Sequence, residues 1–378
     1  MNGNENNAKK NVVIINSKGG GGDFNRAVRM ANSLLSHGYK AEILTWNRTN
    51  SRLNSDNINM HMFGYNPQKY KPLGLICGYL YWWLFVLNFI ISNSYVDIYH
   101  AQGFFGFIPV LPICLIKKKK VVYDLIDFVA DSFMWPSPAK ELIAFLENTF
   151  LNLASAVILV DSRKQKIDIS KINNFTVVTN CPVDLLEKFS KKINKNKNGF
   201  LIYYGGALYK VRGLENVCEA VKGLEDVKVV IAGAGNDENE LKLKYAAQSN
   251  IEFKGLLSPI ESLMFTFKAN LIPIFYDPKI PIHKMASPAK LYDAMMCKTA
   301  VMVNCEALTV SETVKNENCG LIIPYKDINA LRDTIIKLKD DGYFTNTLAI
   351  NGRLAFEREF NWDVMESRLV NLYDKLSI

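Results

Sequence analysis

"NVVIINSKGGGGDFNRAVRMANSLLSHGYKAEILTW", residues 11–46, contains a strand, a glycine loop, a helix and a second strand in succession. The unbroken aliphatic run at 12–15 is what a strand covered on both faces requires, and such strands belong to parallel sheets. Beyond the loop, Phe24, Ala27, Val28, Ala31, Leu34 and Leu35 fall on one helical face, and Gly38 can end the helix. A strand, crossover helix and second strand open a doubly wound domain. Four consecutive glycines are entropically costly without a use. The amides of Gly20 and Gly21, at the start of the helix, are therefore candidates to face an anion. The spacing is not G-x-G-x-x-G, because position 24 is Phe, which removes support for a dinucleotide cofactor.

The alternation continues along the chain. Strands are expected at 97–103, 120–126 and 156–162, then, after a Lys/Asn-rich stretch, at 200–206, 227–235, 251–255, 269–275, 300–304 and 320–325, with helices in the gaps. At 378 residues the chain exceeds what one core usually fills. The expected architecture is α/β: two Rossmann-like doubly wound domains facing across a cleft. Residues 1–10 read as a tail, 11–185 as the first domain, 186–198 as a linker and 199–360 as the second domain. Residues 361–378 form a closing helix that packs back towards the first.

The formal charge is +8, with the basic residues concentrated at Lys117–Lys120 and in 188–198. No nucleic-acid-binding signature accompanies them, so nucleic acid is not expected as a partner. The seven cysteines contain no C-x-x-C pair, and the four histidines, His37, His61, His100 and His283, have no metal-ligand spacing. Neither a metal nor an organic cofactor is expected. The opening residues lack an apolar core of the signal-peptide kind, so the expected location is cytoplasmic.

Two segments carry candidate chemistry. "VVYDLIDFVAD" (121–131) holds Asp124, Asp127 and Asp131. Asp124 is expected to be a structural acid within the strand. Asp127, at the sheet's carboxyl edge, is the candidate catalytic acid, and Asp131 is expected to cap the next segment. "SPAKLYDAMMC" (287–297) reads as a helix start with Ser287 as N-cap, Pro288 at the first helical position and Asp293 set to receive a ligand hydroxyl.

The motifs "GGALYKVRGLENVCEAV", "VVIAGAGNDENEL", "IEFKGLLSPIESLMFTFKANLIPIF" and "SPAKLYDAMMCKTAVMV" follow in that order. Together they resemble the donor domain of glycosyltransferase family 4, which has the GT-B fold, while the glycine loop, "YDLIDFVADSF" and "VTNCPVDLLEKF" resemble its acceptor domain. The resemblance implies transfer of a sugar, with retention at the anomeric carbon, from a UDP- or GDP-sugar to a lipid-linked glycan or glycolipid acceptor. It implies that Arg212 neutralises the donor diphosphate, with Lys210 compensating where Ala207 replaces a frequent arginine, and that Asp293 holds the ribose. Gly20, Gly21, Gly206, Gly233, Ser287 and Lys290 complete the implied donor site. The chain departs from the family pattern at Met285 in place of a glutamate, Ile126 in place of a histidine and Lys298 in place of a glycine.

Residues 73–91 carry no charge over 19 positions, long enough to cross a bilayer. A crossing would separate strands that must share one sheet. The segment is therefore expected to be either a core helix or a helix lying at a membrane surface beside Lys117–Lys120, which would make the protein peripheral on the inner face of the cell membrane. Two rivals to an active transferase are a sugar-nucleotide-binding scaffold with little activity and a GT-B sugar epimerase. The chain has no His-Gly-Asp-Thr stretch of the kind the epimerases carry.

Overall fold

The computed structural model describes residues 9–19, 21–48, 57–67, 73–132, 135–161, 172, 174–191 and 199–377. The chain forms two compact units, Met1–Val178 with Met365–Ile378, and Thr179–Val364.

The N-terminal unit is built on β1 (Asn11–Asn16), β2 (Lys40–Asn47), β3 (Asn59–Gly64), β4 (Ile98–Gln102), β5 (Lys120–Leu125), β6 (Ala156–Leu159) and β7 (Phe175–Val177). The strands lie in the order β3-β2-β1-β4-β5-β6-β7, and all pairs are parallel. Val12 to Ile15 are fully buried, as the aliphatic run requires. The winding direction reverses between β1 and β4, where ligands of such sheets bind. Sequence reading missed β3: "NMHMFG" has no β-branched residue, and only its pairing with β2 at the sheet edge makes it a strand.

The apolar helix Leu73–Ser92 buries Trp82, Val86, Phe89 and Ile90 in the same core as Leu44 and Trp46. Gly78 lets the Trp46 ring approach, since a β-carbon there would stand 2.7 Å from it. Gly74–Ser92 is long and apolar enough to cross a membrane by length and composition. Its outer face nevertheless carries Ile76, Leu80, Leu84 and Ile91, each more than half exposed, at helical spacing. Lys117 Nζ donates to the Ile90 carbonyl in the helix's last turn (3.2 Å) and Lys119 Nζ to that of Ser94 just beyond it (3.1 Å), so two of the four clustered lysines are tied to this end of the helix.

The C-terminal unit contains β8 (Phe200–Gly205), β9 (Val227–Ala232), β10 (Ile251–Gly255), β11 (Leu271–Ile274), β12 (Ala300–Asn304) and β13 (Gly320–Ile323). The order is β10-β9-β8-β11-β12-β13, again parallel throughout, with the reversal between β8 and β11. The helix Ala289–Met296 ends in a Schellman motif, with Lys298 N donating to Met295 O (3.2 Å) and Thr299 N to Ala294 O (2.9 Å). Lys298 takes φ 53° there. This left-handed site is where glycine is preferred, which accounts for the glycine that the family pattern has at this position.

The division between units falls at Val178/Thr179, ahead of the boundary at 185 expected from sequence. Residues 179–191 pack onto the C-terminal unit: Phe189 lies against Phe267 with ring centroids 6.3 Å apart, and Arg353 Nη1 donates to Asp184 Oδ1 at 3.0 Å. Of the expected linker, Leu186–Ser190 is helical and 192–198 lies outside the described residues.

The closing helix, Trp362–Ser377, joins the N-terminal unit from Met365 onward. Tyr373 Oη lies 2.7 Å from His100 Nδ1, Asp374 accepts from Tyr39 Oη (2.6 Å) and Lys9 Nζ (2.9 Å), and Glu366 accepts from Ser33 Oγ (2.8 Å). Beneath it sits a fully buried ion pair. Asp124 receives both Arg26 Nε (2.8 Å) and Nη2 (2.9 Å), with Gln102 Nε2 at 3.2 Å and His100 Nε2 at 3.5 Å. Burial alone would raise the carboxyl, but the Arg26 charge, His100 and the bidentate hydrogen bonds hold it well below the usual carboxylate range. Asp124 is thus the structural acid that the sequence suggested. Asp124→Asn strands the Arg26 charge and should cost ~3–5 kcal/mol in denaturant unfolding. A loss under ~1 kcal/mol would show that the pair does not hold this core.

Candidate functional site

In the C-terminal unit, the loops after β8 and β9 lie backbone against backbone. Gly206 (φ 148°) and Gly233 (φ 140°) make this possible, because a β-carbon on Gly233 would stand 1.8 Å from the Gly206 carbonyl oxygen. Gly235 is equally committed, with Leu208 O at 2.2 Å from its would-be β-carbon. These glycines bring Leu208 N to Ala234 O (3.0 Å) and lock the loop pair.

Two cations stand at this loop pair. Lys290, on the helix Ala289–Met296, sets Nζ 4.1 Å from the centre of the Tyr204 ring and 3.4 Å from where a Gly206 β-carbon would be. Burial first, and the nearby Arg212 charge second, push its ammonium down to about 7, against an opposing pull from Asp293. Arg212 ends a short turn, Lys210–Arg212, and its guanidinium lies 4.8 Å from the Tyr276 ring. Among the described residues no carboxylate pairs with either cation. Two cations near one another, neither ion-paired with a described carboxylate, make a setting suited to an anion with more than one charge.

The remaining expected donor residues divide. Asp293 follows Lys290 by three positions, so the two share a helix face, and Asp293 is half-buried. Lys210 turns away: its Nζ pairs with Glu240 at 2.7 Å, and its backbone N–H donates to Asp237 (2.7 Å). Ser287 is not the N-cap. Pro288 occupies that position in extended conformation (ψ 135°) with no side-chain cap, and Ser287 Oγ pairs instead with Tyr292 Oη at 2.9 Å. Met285 closes the turn Pro281–Lys284.

Sequence reading missed several residues here. Tyr204, Tyr276 and His283 form the aromatic surroundings of the cations. His283 donates from Nδ1 to Asp277 O (3.0 Å), and its imidazolium is disfavoured by burial and then by Arg212. Asn304 ties strand ends together, accepting from Tyr276 N (2.8 Å) and donating to Tyr276 O (3.1 Å) and Glu306 (2.9 Å). A polar residue ending the all-apolar run "AVMVN" was the available signal.

The N-terminal unit has its own cavity of about 520 Å3 at the β1/β4 reversal, and Asp127 and Ile126 line it. Asn16 and Gln102 form a hydrogen-bonded floor (2.8 Å), which Gln102 extends to Asp124. Gly19 donates to Trp46 O (2.8 Å), and a β-carbon there would meet the same oxygen at 2.5 Å, which explains one glycine of the loop. Gly21 begins the first helix, and Gly20 lies outside the described residues. Asp131, half of an ion pair with Lys140 at 3.3 Å, lies inside the short helix Val129–Ser132. The carboxylate that caps that helix is Glu147, which accepts from Val129 N (2.7 Å) and Ala130 N (3.1 Å). The sequence assigned the cap to Asp131; the buried Glu147, reaching from the following helix, supplies it.

Residues 186–355, which contain both cations and the glycine loops, match the family model of glycosyl transferases group 1. The match covers the C-terminal unit's donor-like motifs. Over 199 residues the chain is 24% identical to the capsular polysaccharide biosynthesis glycosyltransferase CapM of Staphylococcus aureus, covering 50% of this chain and 49% of that protein. The match therefore spans about half the length of this curated relative. Solved structures are similar over nearly the whole chain. Sucrose-phosphate synthase from Thermosynechococcus elongatus has a TM-score of 0.76 at 16% identity, covering 97% of this chain and 99% of its own. Anabaena HepE in complex with UDP-glucose has 0.70 at 14%, covering 97% and 100%. WaaG, a glycosyltransferase involved in lipopolysaccharide biosynthesis, has 0.65 at 14%, covering 96% and 99%. These likenesses establish the fold expected from the sequence: two parallel-sheet α/β units of the GT-B kind.

Proposed function

We propose that the protein is a retaining glycosyltransferase of the family 4 type. In this reading it moves a sugar from a UDP- or GDP-sugar to a hydroxyl of a lipid-linked glycan or glycolipid, in the assembly of a cell-surface polysaccharide. The observation that carries the reading is the pair Arg212 and Lys290, two cations without a carboxylate partner among the described residues, at glycine loops inside the group 1 match. HepE, with the same fold, binds UDP-glucose.

The chemistry follows from the charges. A nucleotide-sugar diphosphate set against Arg212 and Lys290 is neutralised as a ground-state ligand. It is neutralised further as the bond from the anomeric carbon to phosphate oxygen breaks and the electron pair leaves with the nucleotide. The acceptor oxygen forms the new bond to the anomeric carbon, and Asp127 takes the hydroxyl proton. Asp293 holds the ribose. Lys290 is poised for a role that depends on its proton. Its ammonium is depressed in the free protein and is restored by an anion.

The membrane-surface reading draws on the exposed row Ile76, Leu80, Leu84 and Ile91 and on the lysines at the end of that helix. An apolar face with an adjacent basic cluster supplies the two signals that stable surface binding needs. The protein would then work on the cytoplasmic side, peripheral to the membrane.

UDP binding measured by calorimetry should weaken in Arg212→Ala by roughly 1.5–3 kcal/mol. UDP holds one charge state above pH ~7.5, so the pH dependence reports on Lys290. In that range Lys290 is mostly neutral in the free protein and must gain a proton to meet the diphosphate, so affinity should fall as the pH rises, with proton uptake on binding. Unchanged affinity in Arg212→Ala removes Arg212 from the donor site, and a pH-independent affinity removes Lys290.

With a panel of nucleotide sugars and a membrane extract as acceptor, Asp127→Asn should cut turnover at least a hundredfold while UDP affinity persists. Tight donor binding by the parent protein, with no transfer to any acceptor, would favour the scaffold reading that Ile126 and Met285 raise.

In sedimentation with vesicles containing anionic lipid, the protein should pellet at low salt and be released at high salt. Replacing Lys117–Lys120 with glutamine should leave it in the supernatant, at about 1 kcal/mol per lysine. A parent protein that stays soluble at low salt assigns the apolar row to some other contact.

A further inference from the structure

The N-terminal cavity holds a cation that the donor reading does not use. Arg48 lines its wall just beyond the end of β2. The guanidinium carbon lies 4.1 Å from the centre of the Trp46 ring and 5.0 Å from that of Tyr79, Nη2 donates to Tyr79 Oη (2.9 Å), and Nε is buried without a hydrogen-bond partner. Among the described residues no carboxylate pairs with it. The cavity's other cation is already balanced, since Lys18 Nζ lies 3.2 Å from Asp23. Aromatic rings, not an acid, hold the guanidinium in place. It is therefore pre-oriented, and no carboxylate among the described residues compensates its charge.

The rest of the wall is largely apolar, from Ile76, Phe104, Phe105 and Trp135. Asp127 stands at the other side, beyond the end of β5. From β2 through β1 and β4 to β5 there are three strand spacings, so the two groups are on the order of 14 Å apart across the sheet. A ligand that fills the cavity meets a fixed cation at one end, a flat apolar wall between, and a carboxylate at the other end.

We propose that this cavity binds an acceptor that carries an anionic group, a phosphate or a carboxylate, held by Arg48, with the hydroxyl to be glycosylated at the Asp127 end. An apolar or flat ring face of the acceptor lies against Tyr79 and Phe105. The role of Asp127 rests on the glycosyl-transfer reading above; anion binding at Arg48 does not.

The test is calorimetry on the full-length protein with UDP present, using phenyl phosphate, phenylacetate and the neutral phenyl β-glucoside as probes. At least one anion should bind tenfold or more tightly than the glucoside. The tighter of the two assigns phosphate or carboxylate. Arg48→Gln should weaken that anion at least tenfold and leave UDP affinity unchanged, whereas Arg212→Ala should do the opposite. Ile76→Trp narrows the cavity mouth from an exposed position without altering charge and should weaken the same probe, so the proposal remains testable if Arg48→Gln fails to fold. Equal binding of anionic and neutral probes, or loss of anion binding in Arg212→Ala alone, overturns it. Failure of the parent protein to bind UDP would instead count against the donor reading.

Discussion

A parallel strand covered by helices on both faces can offer polar atoms only at its ends, because its edges are paired and its faces are dry. In this protein that constraint decides where chemistry can occur. Each unit reverses its winding once, between β1 and β4 and between β8 and β11, and the candidate residues gather at strand ends around those reversals. The glycines at 206, 233 and 235 serve the same constraint, since only a bare backbone lets two strand ends approach closely enough to leave a polar floor.

The conspicuous exception is the Arg26–Asp124 pair, charged and fully interior. It is accommodated because the two charged groups satisfy each other by geometry. Two guanidinium nitrogens meet two carboxylate oxygens, and Gln102 relays the arrangement to Asn16 on the cavity floor. A buried ion pair of this kind is weak evidence for stability in itself but fixes one arrangement of helix against sheet. The shape of the N-terminal cavity inherits that rigidity.

The sequence carried the architecture well. Aliphatic runs in "NVVIIN", "VKVVIA" and "AVMVN" are dictated by double-sided burial and read directly as central strands. The edge strand β3 was illegible, because one partner strand rather than its own composition makes it a strand. Among the candidate residues, those carried by one local segment were legible as segments: the glycine loops and the helix carrying Lys290 and Asp293, while Arg212 was singled out only by the family resemblance. Residues whose role depends on a distant partner were not. Ser287 looks like a cap until Tyr292 claims its hydroxyl, Lys210 looks like a donor ligand until Glu240 faces it, and Glu147 gives no local sign that it caps a helix 17 residues earlier.

The N-terminal unit is not continuous in sequence: its last helical stretch, from Met365, follows the whole of the other unit. His100 and its Tyr373 partner are separated by 273 positions, and Tyr39 and Asp374 by 335. During synthesis, therefore, residues 179–364 emerge before the helical stretch that completes the N-terminal sheet's cover. While residues 179–364 are being synthesised, its sheet waits with the helix-covered strip around His100 and Tyr39 open, and the C-terminal unit can close before it. A chain interrupted just after Val364 would hold the whole C-terminal unit joined to an N-terminal one that lacks its seal. Such a species exposes the strip that the helix from Met365 would cover, the kind of surface that chaperones and proteases recognise.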